Sequence, residues 1–162
     1  MCGCAADPAV IHWKTLPKDG STLSKYSEIV VDVREKDGVR LGLQTRDRLS
    51  RLIDDSIRTG TAGRLHRVEP GDAGRLALRT DVFITRYDDG RSFAASVFSH
   101  SEKVHMNGEV VLTDWLTGET LAEFEIAHAV DTYDSIGTFI RLEEVEPEFV
   151  QSVVAGIVQQ AH

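Results

Sequence analysis

Histidine and aspartate side chains are the residues of this chain whose types could do acid–base chemistry. No H-x-H or H-x-x-x-H pair occurs among the six histidines. His105 and His128 fall out of phase with the apolar positions around them, which predicts cross-strand neighbours on the outward face of a sheet. Imidazole titrates near pH 6.5, so such a pair would be pH-sensitive. The simpler alternative is that both histidines are solvated side chains on strands and have no joint role.

Motifs that carry catalysis do not occur in the sequence. It contains no G-x-S-x-G, P-loop, H-E-x-x-H or dinucleotide fingerprint. Asp54 and Asp55 are expected on the solvated side of a helix, and Asp81 on the polar face of a strand. We therefore expect no catalytic activity, no cofactor and no metal site. A small hydrolase-like enzyme that uses His and Asp groups on the outward sheet face is the alternative.

Both cysteines lie within the first four residues, Met1-Cys2-Gly3-Cys4. A glycine directly before Cys4 and an apolar residue three before it are typical of a bacterial lipidation site. More than one acyl chain on Cys4 would anchor firmly, since each buried methylene contributes about 0.8 kcal/mol. A metal-ligand pair, a redox pair and an incidental terminus are the alternatives. Two thiols are too few for a closed tetrahedral metal site.

The overall charge excludes one class of partner. The 162 residues carry a formal net charge of -8, with an isoelectric point near 5.2. Binding to nucleic acid requires a basic surface, so no nucleic-acid partner is expected. The apolar runs are too short to span a bilayer. Membrane contact is therefore expected through the lipid anchor alone.

The order of polar and apolar residues predicts one domain behind a tether. Residues 1–25 contain two prolines and a Ser/Thr cluster, and they are interpreted as a lipoprotein-type N-terminus and tether. His12 and Trp13 could hold part of this tether against the domain. Residues 26–162 are interpreted as a single α+β domain, which is long enough to bury a core without metal or disulfides.

Alternating and β-branched stretches predict the strands. We expect them over 26–34, 65–68, 75–87, 103–115 and 120–130. Leu76 and Leu78 are both expected to point inward. Residues 116–119 are predicted to form a tight hairpin turn, with a positive φ at Gly118.

Apolar residues at helical spacing predict two helices. The first covers 45–59, with Thr45 as its N-cap and Gly60 as its stop. The second begins at Pro147 and runs to the C-terminus. The predicted fold is α+β, a two-layer sandwich in which a mixed, mostly antiparallel sheet carries two main helices on one face.

The segment 91–101 interrupts the strand pattern. It places three apolar side chains, Phe93, Val97 and Phe98, in a predicted loop. If these side chains are exposed, they form a possible surface for binding a partner protein. Alternatively, they fold over the edge of the sheet.

Four stretches resemble a known family: 29–33 (IVVDV), 52–57 (LIDDSI), 76–82 (LALRTDV) and 108–120 (GEVVLTDWLTGET). Together with Cys4, they resemble uncharacterised bacterial lipoproteins whose fold is related to the TolB N-terminal domain, LpoB and CsgG. The resemblance implies a lipid-anchored, periplasm-facing protein that binds an envelope protein partner or assembles with itself. In such families Ala5 after the lipidated cysteine implies the outer membrane. A structural homo-oligomer, paired through an exposed strand edge, is the other reading.

Overall fold

The computed structural model describes residues 9–17, 22–36, 38–88, 103–131 and 140–159. Two long helices and six strands make up most of these residues. In chain order the elements are β1 (Val10–Thr15), a short 3-10 helix (Thr22–Lys25), β2 (Glu28–Glu35), α1 (Leu43–Gly60), β3 (His66–Arg67), β4 (Ala77–Asp88), β5 (Lys103–Asp114), β6 (Thr120–Asp131) and α2 (Leu142–Gln159).

The six strands form one mixed sheet in the order β1-β6-β5-β4-β2-β3. Strands β4, β5, β6 and β1 pair antiparallel with their neighbours, whereas β2 runs parallel to both β4 and β3. The parallel step from β2 to β4 crosses over through α1, as parallel pairing requires. This architecture confirms the predicted α+β fold with a mixed, mostly antiparallel sheet.

The core lies between one face of the sheet and the two helices. Because side chains alternate along a strand, every second residue of β2, β4, β5 and β6 turns toward the helices. Leu78, Val110 and Phe124 are among these residues and have no exposed surface. In α1, Leu49, Ile53 and Ile57 face the sheet at helical spacing. The stripe predicted for this helix therefore does form its buried face, with Leu52 at its margin.

Helix α1 begins two residues earlier than predicted. Its N-cap is Gly42 in an extended conformation, with no side-chain cap, rather than Thr45. Glycine is accepted at this position because its backbone reaches the extended conformation freely. The helix was predicted to end at residue 59 with Gly60 as its stop, but Gly60 is its last residue and Thr61 is the C-cap. A left-handed turn follows at Ala62 (φ 51°) and Gly63 (φ 78°).

Helix α2 also begins earlier than predicted, at Leu142 rather than Pro147. Pro147 is the sixth residue of the helix, where the missing N–H removes one backbone hydrogen bond. Two residues offset that loss. Val145 is buried in the core, and the carboxylate of Glu146 is buried in an ion pair. The additional turn is thus held by tertiary contacts, which residue propensity does not reveal.

The β5–β6 hairpin turns as predicted, with φ 71° at Gly118. Asp114 closes the turn by accepting the N–H groups of Leu116 and Thr117 at 3.0 and 2.9 Å. Its second oxygen accepts the Tyr26 hydroxyl at 2.6 Å. The prediction for Leu76 is wrong: β4 begins two residues later than predicted, at Ala77, so Leu76 lies outside the strand and is half exposed.

Part of the predicted tether belongs to the sheet. Residues 10–15 form β1, an edge strand that pairs with β6. Trp13 lies against Phe124, with ring centroids 4.7 Å apart. That contact stabilises the edge strand, because aromatic pairs add to the free energy gained by burial. The sheet therefore starts well before residue 26.

Within the described ranges, neither long helix is apolar enough to serve as a membrane span.

Candidate functional site

The outward face of the sheet carries two cross-strand carboxylate pairs. Both described long helices pack on the opposite face, so charged side chains from β1, β2, β4, β5 and β6 meet here. Like charges directly opposite one another destabilise a sheet unless cations neutralise them. The arrangement of those cations defines the surface.

The first pair is Glu109 of β5 and Glu125 of β6, which are opposite in register. Lys14 of β1 bridges them, with its Nζ 3.1 Å from Glu109 Oε1 and 2.7 Å from Glu125 Oε1. Glu123 Oε1 lies 3.2 Å from the same Nζ. Lys36, from the end of β2, also contacts Glu109. One ammonium group thus holds three carboxylates together.

These contacts perturb the titration of both partners. Lys36, together with Lys14, lowers the pKa of Glu109 to about 2, although burial of the carboxylate works in the opposite direction. The pKa of Lys14 is raised above its usual range by hydrogen bonds to Glu125 and Glu109. Lys14 and Glu109 are therefore both charged at neutral pH, and the cluster serves as an ionic cross-link between β1, β5 and β6.

The second pair is Asp32 of β2 and Asp81 of β4, again opposite in register. Arg34 Nε donates to Asp32 Oδ2 at 2.8 Å, and its Nη2 lies 3.7 Å from Asp81. Arg79 donates to both oxygens of Asp81 at 2.7 and 3.0 Å. Two arginines, one on each strand, thus neutralise the pair.

A groove of about 440 Å³ lies beside the second pair. It opens where β3 ends, since β3 pairs with only Glu28 and Ile29 of β2. Its other walls come from α1, from the residues after β3 and from the start of the β5–β6 turn. Its lining includes Arg46, Asp47, Ser50, Arg67, Glu69 and Trp115.

The structure separates the two histidines that the sequence predicted to be neighbours. His105 is opposite Ala129, whereas His128 is opposite Met106, so the side chains point to different faces of the sheet. His128 is buried under α2, with its Nε2 2.9 Å from Glu148 Oε2. The prediction of a shared outward face is wrong because His128 keeps the same parity as the apolar residues Phe124 and Ile126.

His105 does lie on the outward face, half buried beside the end of β4. Burial, followed by the charge of Arg86, lowers its pKa from the usual value. It stays neutral at physiological pH and lies away from both carboxylate pairs, near Asp88 in the register. His105 and His128 therefore do not form one site on this face.

The remaining predicted site residues lie outside the described residues. They are Cys4, Phe93, Val97 and Phe98. Among the described residues, no cluster of three or more His, Cys, Asp or Glu side chains is arranged to hold a metal ion.

Sequence reasoning missed the residues that form the outward clusters and the groove. Glu109 and Asp81 alternate with apolar neighbours, which predicts their face but not their burial. Lys14 lies in the predicted tether, so no local sequence pattern indicates its ion pairs with β5 and β6. Arg67 lies in β3, whereas Trp115 lies in the β5–β6 turn. Their approach to α1 depends on the crossover and is not encoded in residue spacing.

No protein-family model matches this chain, and no curated protein is significantly similar to it. Solved structures do resemble it. A PelC dodecamer from Paraburkholderia phytofirmans matches with a TM-score of 0.62 and 9% identity, over 95% of this chain and 99% of that one.

Two further solved structures resemble this chain at similarly low sequence identity. Protein XCC0632 of the DUF330 family, from Xanthomonas campestris, has a TM-score of 0.55 and 7% identity over 90% of this chain and 92% of its own. A neuraminyllactose-binding hemagglutinin homolog from Helicobacter pylori has a TM-score of 0.54 and 10% identity over 91% and 90%. At these identities the likenesses show a shared fold. The predicted relation to TolB, LpoB and CsgG stays a prediction.

Proposed function

We propose that this chain is a lipid-anchored module of the bacterial cell envelope that assembles with further copies of itself. The observation that carries the proposal is the likeness to a protein crystallised as a dodecamer, which extends over nearly the whole of both chains. The proposed work is assembly and protein binding rather than catalysis.

The outward face of β6 supports the assembly proposal. Ala127 and Ala129 lie on this face, and Ala127 is exposed. Small residues allow close approach of another chain. Oligomers of one chain usually close by symmetry, so a head-to-tail contact between this patch and a different patch of the next copy would give a ring of defined size.

The proposed location rests on the N-terminal residues. Gly3-Cys4 fits a lipidation site, and Ala5 fits delivery to the outer membrane with the domain facing the periplasm. Val10, the first residue of β1, lies six residues after Cys4. A chain of six residues spans at most about 20 Å, so the anchor would hold this end of the sheet near the membrane surface.

The oligomeric state is tested by sedimentation of the full chain with Cys4 replaced by serine. We expect a species whose mass is a defined multiple of 17.9 kDa at micromolar concentration. Ala127→Arg should shift that species toward the monomer, because it places a charge on the assembling face. Gln151→Arg, on the exposed side of α2, is the matched control. A monomer at 100 µM would contradict the proposal.

The anchor is tested separately by mass spectrometry and membrane fractionation in a Gram-negative host. We expect acyl chains on Cys4 and release from the membrane in Cys4→Ala, whereas Cys2→Ala should remain anchored. If the chain is unmodified and its fractionation does not depend on Cys4, the proposed anchor is wrong. The proposal of self-assembly is tested independently of this result.

A further inference from the structure

The groove beside β2 is a candidate ligand site that does not depend on self-assembly. Its volume of about 440 Å³ falls within the range of small-molecule sites in proteins. Its lining comes from β2, from the first half of α1, from β3 and the residues after it, from Arg79 of β4 and from Trp115 of the β5–β6 turn. These rigid elements fix the positions of the polar groups.

Two arginines offer unused donors in this groove. No hydrogen bond or ion pair within the described part of the chain engages the Arg67 guanidinium. Arg46 contacts Glu35 at 3.5 Å through Nη2, but its Nε is buried without a partner. A buried donor left without a partner is destabilising, so an acceptor brought by a ligand would recover that free energy.

Acceptors line the groove beside these donors. Asp47, Ser50 and Glu69 make no side-chain hydrogen bond to any of the described residues. The four arginines of the lining are accompanied by Asp32, Asp47 and Glu69, so the groove is not strongly cationic. That mixture argues against polyphosphate or nucleic acid, which require a basic surface. It suits a ligand that both donates and accepts hydrogen bonds.

The apolar part of the groove is a half-buried tryptophan, Trp115, with Val30 and Pro70. A sugar ring combines an apolar C–H face, which packs on an indole, with hydroxyl groups that donate and accept. A carboxylate on that ring would match an arginine, because two parallel N–H donors of a guanidinium fit two carboxylate oxygens. Donors, acceptors and aromatic surface occur here in the combination that such a ring requires.

We propose that this groove binds a carboxylate-bearing sugar residue of a glycan. Arg67 receives the carboxylate and Trp115 packs against the ring face. Asp47 and Glu69 accept from ring hydroxyls, and Arg46 donates to a ring or hydroxyl oxygen. Arg34 and Arg79 are positioning residues, since their ion pairs with Asp32 and Asp81 hold the floor of the groove.

The test uses glucuronic acid and glucose, which differ only in the carboxylate. Saturation-transfer NMR on the full chain with Cys4→Ser should show millimolar binding of glucuronic acid and at least tenfold weaker binding of glucose. Trp115 is one of two tryptophans in the chain, so Trp13→Phe assigns any change in fluorescence to the groove. Arg67→Ala and Trp115→Ala should each weaken binding of glucuronic acid at least tenfold.

Matched controls keep the test decisive. Arg141→Ala removes an exposed arginine outside the groove and should leave binding unchanged. Glu69→Gln keeps the shape of an exposed side chain, so a several-fold loss in this variant cannot be attributed to misfolding. Sedimentation of the same samples measures self-assembly. A failure of the assembly proposal is therefore detected separately from a failure of sugar binding.

Three outcomes would overturn the proposal. The first is no saturation transfer from glucuronic acid at 50 mM. The second is that acetate displaces glucuronic acid at equal concentration and that Trp115→Ala binds glucuronic acid as tightly as the wild type, which would make the groove a simple anion site. The third is an acidic hexapeptide that binds at least tenfold more tightly than glucuronic acid and is lost in Arg67→Ala, which would make the ligand a protein segment.

Discussion

Arg48 and Glu146 form a two-pronged ion pair that joins α1 to α2. The Nε and Nη2 atoms of Arg48 donate to Glu146 Oε2 and Oε1, each at 2.7 Å. Glu146 has no exposed surface, and its Oε1 also accepts the Tyr87 hydroxyl at 2.7 Å. Burial, together with this hydrogen bond, raises the pKa of Tyr87. One buried carboxylate thus connects both helices with β4.

Replacing Arg48 with methionine should destabilise the domain by about 3 kcal/mol, because it leaves a buried carboxylate without its counter-charge. Urea unfolding measures the change. Arg51→Met is the matched control, since Arg51 is exposed and donates only to the Asp47 carbonyl. The double variant Arg48→Met, Glu146→Leu should recover most of the loss. A loss below 1 kcal/mol in the single variant would show that the pair contributes little.

Acid should destabilise the outward cluster through Glu109. Its folded-state pKa of about 2 lies below the usual 4.5, so its contribution is fully present above pH 4.5 and is lost as the pH falls toward 2. The free energy of unfolding should therefore drop by on the order of 2 kcal/mol over this window on account of Glu109. Urea titrations between pH 6 and pH 2.5 measure it.

Glu109→Gln should be less stable than the wild type at pH 6 and should show a flatter acid limb. Asp72→Asn serves as the control, because Asp72 is an exposed carboxylate without an ion pair among the described residues, and its acid limb should match the wild type. Parallel acid limbs for Glu109→Gln and the wild type would disprove the assignment.

Gly156→Ala should destabilise the domain although alanine favours a helix by about 1 kcal/mol. A Cβ at this position would lie 2.5 Å from the ring of Phe124. Phe124 is fully buried and packs on Trp13, so the ring has little room to move. Overpacking of this kind costs about 1–3 kcal/mol.

Thermal unfolding of Gly156→Ala should show a lower Tm, at roughly 2–4 °C for each kcal/mol lost. Gly71→Ala is the control, because nothing lies within 4 Å of its added Cβ and it should leave the Tm nearly unchanged. A raised Tm in Gly156→Ala would mean that helix propensity outweighs the contact with Phe124.

Most of the sheet could be predicted because its strands alternate. Val110, Leu112, Phe124 and Ile126 are apolar at every second position, so both the strands and their buried face follow from period alone. Leu49, Ile53 and Ile57 predict α1 in the same way at helical period. The errors have two sources. Burial of Val145 and Glu146 extends α2 in front of Pro147. The edge strand β1 forms from a segment with no alternating pattern, because it pairs with β6.

The outward site was less predictable because its members are distant in the chain. Lys14 and Glu109 are 95 residues apart, and Lys36 lies between them. Each looks locally like a solvated charge. The outward position predicted for His128 is wrong, because its place in β6 has the parity of the buried residues Phe124 and Ile126 although histidine is a polar residue type.

The sequence alone determined the α+β class, the hairpin at Gly118 and the net charge of -8, since period, turn chemistry and net charge are local or additive properties. Only the tertiary structure decided which carboxylates meet, which histidine is buried and where Arg67, Arg46 and Trp115 converge. Those outcomes depend on strand order and register, which bring together residues that no local pattern connects.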